Sequence, residues 1–303
     1  MSEPSRVAFK VEGENAGLRL DQVLAACVPG LSRRQARVLL DIGGVFVDGR
    51  RVKIAGRVMR AGEEVVTVQG GAMARATKRL GRAARTADER HLPPFRIVFE
   101  DDDIVVVDKP SGLLTAPTPE SDRNNLADLL SRRPGAGPVQ IVHRIDLETS
   151  GLVVLAKTAL ANRELSARFR DHDIERAYLA GVQGGVAASL GIVDRPVGGR
   201  RAVTHLEVVE RFGDVATLLG CRLETGRTHQ IRIHAAGIGH PVFGDARYGS
   251  PPAAGLPRAP RMALHATRLG FVHPKGGAQI SFESPWPPDL SDWLVALRGC
   301  ATR

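Results

Sequence analysis

The sequence predicts an α+β protein with a mixed, largely antiparallel sheet and flanking helices, preceded by a small basic domain. Strand candidates at residues 174–182, 202–210 and 215–224 follow one another without an intervening helix, which favours this class over a doubly wound sheet. Residues 158–170 have the apolar spacing of a helix. The net charge of +9 over 303 residues lies almost entirely in the first 90 residues, which separates a basic module from a nearly neutral remainder.

The basic module begins with two predicted helices. Apolar residues recur at helical spacing from Leu20 to Cys27, and Pro29-Gly30 ends this first helix. Ser32, followed three residues later by Gln35, has the pattern of a capping box and starts the second helix.

The second helix carries an arginine face. Arg37 follows Arg33 and Arg34 by four and three residues, so the three guanidinium groups are expected on one side. Residues 17–70 hold nine basic and five acidic side chains, and such an excess favours a polyanion as partner, with nucleic acid as the default. The alternative is a solvated basic helix face without a partner.

Three segments of the module carry a resemblance to a known domain: LRLDQVL, SRRQARVLLDIGGVFVDG and AGEEVVTV. The second segment ends in the strand alternation of Val45 and Val47 and the tight turn Asp48-Gly49. In this order the segments resemble the RNA-binding domain named after ribosomal small-subunit protein four, over residues 17–70. The resemblance implies that Arg33, Arg34 and Arg37 bind RNA phosphates. Residues 71–93 are predicted to be a basic linker.

The larger domain is predicted over residues 94–300. Apolar runs at residues 104–108 and 152–156 indicate buried strands. The helix predicted at residues 158–170 is expected to place Leu160, Leu165 and Phe169 on its apolar side.

A dense polar loop precedes the second buried strand. His, Arg, Asp, Glu, Thr and Ser occur together in residues 143–150, and loops held by a rigid framework commonly carry catalytic groups. Polarity alone leaves open that Arg144 and Asp146 form a surface ion pair beside an ordinary turn.

Six segments in order resemble the motifs of the RluA family of pseudouridine synthases. They are DKPSGL at 108–113, HRIDLETSGL at 143–152, RAYLA at 176–180, TGRTHQIRIH at 225–234, GHPVFGD with YG between 239 and 249, and LHA with FVHP between 264 and 274. The chain departs from the family at residues 115–117, Thr-Ala-Pro, where the entry loop more often has an apolar residue and a histidine. The resemblance implies the pseudouridine synthase fold and the isomerisation of uridine in RNA to its carbon-linked isomer.

The resemblance also implies roles for individual residues. Asp146 is the expected catalytic carboxylate, and whether it attacks the sugar or the base stays open. A neighbouring guanidinium is needed to keep it ionised, and Arg227 is expected to be that neighbour. Tyr178 is expected to stack on the displaced uracil and to offer a hydroxyl for proton transfer. Arg144 and Arg232 are expected to bind RNA.

The sequence indicates neither a metal ion nor a nucleotide cofactor. The nine histidines lack metal-binding spacing, the three cysteines are far apart, and no phosphate-cradling glycine loop occurs. No apolar run approaches the roughly 20 residues of a membrane helix, and no secretory signal is evident. We therefore expect a soluble, cytoplasmic, monomeric protein that does not bind membranes.

Three functional hypotheses remain. The first is an RNA pseudouridine synthase, with large-subunit ribosomal RNA as its expected substrate and transfer RNA as the second choice. The second is a catalytically silent RNA-binding protein that assists ribosome assembly. The third, a glycoside hydrolase that uses Asp146 and Glu148, is weaker because carboxylates two residues apart on a loop have no defined separation.

Overall fold

The N-terminal part of the chain folds as the capping signals predict. The hydroxyl of Ser32 accepts a hydrogen bond from the Gln35 amide, and the Gln35 side chain accepts one from the Ser32 amide. Helix α1 spans Leu20–Cys27 and helix α2 spans Arg33–Asp41. The computed structural model describes residues 5–70, 92–118, 123–251 and 253–301, so residues 71–91 of the predicted linker lie outside the described residues.

The described residues form two compact units, one within Met1–His91 and Pro117–Asn124 and the other within Leu92–Ala116 and Asn125–Arg303. The first unit packs α1 and α2 beside an antiparallel sheet of order β1-β4-β2-β3. Its strands are β1 Ser5–Lys10, β2 Val45–Val47, β3 Arg50–Arg51 and β4 Glu64–Gln69. Strand β1 lies outside the predicted domain of residues 17–70, because it precedes that domain's sequence motifs and joins the sheet only through β4.

The second unit is built on one large sheet of order β10-β11-β12-β9-β13-β8-β6-β5, with β14 paired to β13 and β7 to β8. Its strands are β5 Arg96–Glu100, β6 Ile104–Lys109, β7 Gln140–Ile141, β8 Ser150–Ala156, β9 Glu175–Gln183, β10 Ile192–Asp194, β11 Val203–Phe212, β12 Ala216–Leu223, β13 Leu264–Val272 and β14 Gln279–Glu283. Strands β13 and β8 pair in parallel, whereas the other described pairs of named strands are antiparallel. The predicted mixed, largely antiparallel sheet is confirmed.

Helices cover this sheet, as predicted. They are α3 Leu126–Ser131, α4 Ala159–Asp171, α5 Gln230–Gly237 and α6 Pro288–Ala301. Strands β6 and β8 bury both of their faces, one in a cluster with α4 and the other in a cluster with α3, which explains why their sequences are continuous apolar runs.

The expected apolar side of α4 is wrong at one position. Leu165 is buried, but Leu160 is 41% exposed and Ala161 is buried in its place. Ala161 lies four residues before Leu165 and therefore on the same helix face, which Leu160 does not share.

The centre of the sheet fixes the position of the polar loop. Strand β8 begins directly after the loop, and Gly151 lies in register with Ala266 of β13. On the other side of β13, Ala266 is in register with Tyr178 of β9. A Cβ atom on Gly151 would lie 2.2 Å from the carbonyl oxygen of Ala266, and the φ of Gly151 is +112°, so only glycine fits at this crossing. The loop and Tyr178 are thereby brought together from distant parts of the sequence.

No helix among the described residues is long and apolar enough to cross a membrane.

Candidate active site

The polar loop ends at a cleft of about 570 Å³. Its walls come from the loop itself, the C-terminal end of α4, strand β9 and the start of α5. The three residues predicted to be catalytic, Asp146, Tyr178 and Arg227, all line it, as do Arg144 and Arg232.

Hydrogen bonds hold the backbone on both sides of Asp146. The hydroxyl of Thr115 donates to the Ile145 carbonyl at 2.9 Å and accepts from the Ile145 amide at 3.4 Å. On the other side, the amide of Gly112 donates to the Leu147 carbonyl at 2.8 Å. Thr115, one of the residues at which the chain departs from the family pattern, therefore anchors the loop.

A buried lysine supports the same loop. The ammonium group of Lys109, which has no exposed surface, donates to the carbonyl oxygens of Leu113, Pro110 and Leu147 at 2.7, 2.9 and 3.3 Å. Burial lowers the pKa of Lys109 to about 7, and the charge of Asp146 opposes this shift. The negative charge of Asp146 thereby stabilises the positive form of this ammonium group.

The guanidinium beside Asp146 belongs to Arg232, so the expected ion pair with Arg227 is wrong. Nη1 of Arg232 lies 3.2 Å from Oδ2 of Asp146. Arg232 is on the inward face of α5, whereas Arg227 precedes the helix and donates from Nε to the Arg201 carbonyl at 3.1 Å. The two arginines are five positions apart, so Arg232 lies in the helix and Arg227 in the turn before it. Only the arginine in the helix contacts Asp146.

A second carboxylate fixes Arg232. Its Nε and Nη2 each lie 2.7 Å from an oxygen of Asp245, and only 5% of Arg232 is exposed. Burial lowers the pKa of Arg232, but the hydrogen bonds and charges of Asp245 and Asp146 outweigh burial and raise the pKa above its ordinary value. In the free protein both edges of this guanidinium are engaged by carboxylates, and RNA binding by Arg232 stays a prediction.

His229 is a site residue that the sequence analysis did not single out. Its Nε2 lies 3.7 Å from Oδ1 of Asp146, and its Nδ1 lies 3.0 Å from the hydroxyl of Tyr248. Burial and the charge of Arg232 lower the pKa of His229 against the opposing charge of Asp146, so the ring is neutral at neutral pH. Its position directly before Gln230, inside the basic motif, was the available signal.

Tyr178 lies on β9 and lines the cleft near Asp146. Burial raises its pKa to about 12, and the negative charge of Asp146 adds to this shift while the positive charge of Arg176 opposes it. The hydroxyl therefore carries its proton in the free protein.

Two arginines on α2, Arg33 and Arg37, lie close to a buried carboxylate of their own unit. Oδ2 of Asp21, whose side chain is fully buried, lies 2.7 Å from Nη2 of Arg37 and 3.5 Å from Nη2 of Arg33, and Oδ1 accepts from Nε of Arg19. Three guanidinium groups around one carboxylate leave an excess of positive charge at this surface. Arg34 lies on the same helix.

Among the residues that the structure describes, no group of three or more His, Cys, Asp or Glu is arranged to hold a metal ion.

Two family models match the chain. The model described as RNA pseudouridylate synthase matches residues 103–237, and the model of the S4 domain matches residues 18–65.

Curated relatives match nearly the whole chain. A protein of Nitrosomonas europaea named ribosomal large subunit pseudouridine synthase D is 38% identical over 96% of this chain and 88% of its own length. A protein of Vibrio cholerae with the same name is 36% identical over 98% of this chain and 97% of its own length.

Among solved structures, human RNA pseudouridylate synthase domain containing 4 shares the fold. The TM-score is 0.57 at 22% identity, over 73% of this chain and 98% of that chain.

Proposed function

This chain belongs to the RNA pseudouridine synthase family, and on that basis we propose that it converts uridine to pseudouridine in large-subunit ribosomal RNA. The names of the relatives from Nitrosomonas europaea and Vibrio cholerae support this substrate, since both match the chain through the basic unit and the catalytic unit. A cytoplasmic location and a monomeric state remain predictions.

We assign residues 17–70 to RNA binding and residues 94–300 to catalysis. One observation carries the catalytic assignment: a carboxylate in an open cleft is paired with a guanidinium that a second, buried carboxylate holds in place. This arrangement places a fixed positive charge beside the Asp146 carboxylate in the cleft, where it acts on the reaction without having to be rearranged.

The reaction requires the bond between N1 of uracil and C1′ of ribose to break. The base then turns, C5 bonds to C1′, the C5 proton leaves, and N1 takes up a proton. Asp146 is the nucleophile or base that promotes the first step. When its negative charge is consumed, one of the groups that raise the pKa of Tyr178 is removed, while Arg176 still lowers that pKa. Tyr178 can take up the C5 proton only as the tyrosinate, so its own hydroxyl proton must first pass to solvent in the cleft. The loss of the Asp146 charge favours this deprotonation because it lowers the pKa of Tyr178.

The decisive test is Asp146→Asn. The amide keeps the shape of the side chain, and Arg232 keeps both bonds to Asp245, so the fold and RNA binding should persist. We expect turnover to fall by at least about 10⁴-fold, as for loss of a catalytic nucleophile. The assay is pseudouridine formation in ribosomal RNA transcribed in vitro, in the presence of chelator.

Glu148→Gln is the matched control. It removes a carboxylate two residues away, to which we assign no chemical role, and should leave turnover near that of the unmodified protein. Retained activity in Asp146→Asn would contradict the assignment. Comparison of pseudouridines in total RNA from wild-type and deletion strains tests the substrate. If the deletion strain lacks a pseudouridine only in transfer RNA, transfer RNA would replace ribosomal RNA as the proposed substrate. If it lacks no pseudouridine, a catalytically silent RNA-binding protein would be favoured.

A further inference from the structure

Two arginines that line the cleft are equally buried but differ in their partners. Arg232 is 5% exposed and pairs with two carboxylates. Arg176, on β9, is 7% exposed and forms no ion pair with a carboxylate among the described residues. Burying a charge without a counter-charge costs free energy. Arg232 has its counter-charges within the protein, whereas Arg176 lacks one in the part of the chain that the structure describes.

The contacts of Arg176 within the protein do not supply that counter-charge. Its Nη2 donates to the carbonyl oxygen of Glu224 at 3.3 Å, its guanidinium lies 5.8 Å from the centre of the Phe169 ring, and its Nε is buried with no hydrogen-bond partner. These are dipoles and a ring face, none of which carries a full negative charge. Burial lowers the pKa of Arg176 below its ordinary value.

The guanidinium reaches the wall of the cleft through a gap in the side chains. Gly226 is exposed and lines the cleft, and a Cβ atom on it would lie 2.6 Å from Nη1 of Arg176. The absence of a side chain at position 226 therefore leaves room for Nη1 beside the open space.

The surrounding charges are positive. Arg144, Arg170 and Arg227 also line the cleft without an ion pair to a carboxylate among the described residues. The single carboxylate in the described lining is Asp146, which is engaged by Arg232. This part of the cleft therefore carries an excess of positive charge, which attracts anions.

We propose that Arg176 and Arg227 form a phosphate subsite that holds a backbone phosphate of the RNA strand at or next to the target uridine. Guanidinium groups bind phosphate oxygens through paired hydrogen bonds, and RNA supplies one negative charge for each linkage. The inference rests on RNA as the substrate. These arginines would bind the RNA backbone and not the uracil base that reacts.

The test is a coupling measurement between one arginine and one phosphate. The probe is a synthetic stem-loop of large-subunit ribosomal RNA that the full chain binds, prepared with single uncharged methylphosphonate linkages at successive positions around the target uridine. For the wild-type protein, we expect one linkage to raise the Kd about tenfold, the size typical of hydrogen bonds to a charged group. Arg176→Gln should raise the Kd for unmodified RNA by a similar factor. The Kd of this variant should then be the same with and without the methylphosphonate at that linkage.

Two further variants complete the experiment. Arg163→Gln removes the same charge from an exposed position outside the cleft lining and should keep the sensitivity of the wild type. Arg176→Lys keeps the charge and should recover part of the affinity, which a merely structural role for the guanidinium would not predict.

Two outcomes would overturn the proposal: no sensitive linkage with wild-type protein, or equal sensitivity in wild type and Arg176→Gln. If Arg176→Gln fails to fold, the linkage scan with wild type and Arg176→Lys still decides, because the lysine variant should lose part of the sensitivity at that linkage. Binding is measured without turnover. Absence of pseudouridine formation would therefore defeat the proposed function and leave this coupling measurable.

Discussion

Single residues in the cleft depend on neighbours that do not line it. Asp245 accepts from the amides of Arg247 and Tyr248 at 2.9 and 3.1 Å while holding Arg232, so the guanidinium is oriented before RNA arrives. Such preorganised charges act on a reaction without being rearranged during it. The same principle applies to His265, which lies behind the catalytic loop and is held by a hydroxyl on each ring nitrogen.

Substitutions can distinguish the role of the Tyr178 hydroxyl from the role of its ring. Tyr178→Phe keeps the stacking surface, so the Kd for RNA should be unchanged, while turnover should fall about 100-fold if the hydroxyl takes the C5 proton. Tyr178→Leu also removes the stacking surface and should weaken binding. Single-turnover kinetics and Kd values distinguish these effects, and near-normal turnover in Tyr178→Phe would assign the ring alone.

His265 should make the stability of the catalytic unit sensitive to acid. Burial lowers its pKa from 6.5 to about 4, so between these values the unfolded chain binds a proton that the folded chain does not. The stabilisation is fully present above about pH 6.5 and is lost as the pH falls toward 4. Urea denaturation between about pH 7 and about pH 4.5 should show a shallower decline for His265→Gln. An identical decline in both proteins would exclude His265 as the cause.

At the scale of elements, the parallel pairing of β13 with β8 organises the site. It brings the end of the polar loop, at Ser150, beside a strand that is distant in sequence. His265 of that strand is 115 residues from Ser150. The close approach requires that position 151 carry no side chain. Strand β9, on the opposite side of β13, then places Tyr178 at the same level of the sheet.

Gly151→Ala should disrupt this crossing. Its Cβ atom would clash with backbone rather than with a side chain that can move, so we expect a loss of roughly 3 kcal/mol or more in the free energy of unfolding, with loss of activity. Gly220→Ala is the control, since its Cβ would lie 3.5 Å from Val209 at an ordinary van der Waals distance. Chemical denaturation measures both, and equal small effects would contradict the proposed role of the crossing.

At the scale of the whole molecule, positive charge occurs in two places, the first unit and the cleft of the second unit. The first unit supplies most of the net charge, and the cleft supplies a smaller cluster of arginines. Each unit has a hydrophobic core of its own residues, so the second unit is expected to fold without the first.

Deletion of residues 1–90 should therefore weaken RNA binding without unfolding the catalytic unit. The dependence of log Kd on log salt should flatten, by about 0.7 to 0.9 for each RNA phosphate that the deleted residues neutralise. Activity on a short stem-loop should survive better than activity on full-length ribosomal RNA. An unchanged salt dependence would mean that Arg33, Arg34 and Arg37 do not bind phosphate.

The sequence by itself determined the features that are encoded locally. Capping residues fixed the start of α2, continuous apolar runs identified β6 and β8, and the consecutive strands after α4 predicted a mixed sheet. These patterns depend on the periodicity of a helix or strand and on neighbours a few positions apart. The motif around Asp146 also lies in one short segment, and so it could be recognised without a structure.

Only the tertiary structure decided which groups meet. Arg227 and Arg232 both belong to the basic motif, and the direction of one helix face selected Arg232 as the partner of Asp146, 86 residues away. The burial of Arg176 without a carboxylate likewise depends on how β9, α4 and the turn at Gly226 pack. Interactions between distant segments are set by strand order and helix orientation, which local periodicity does not encode.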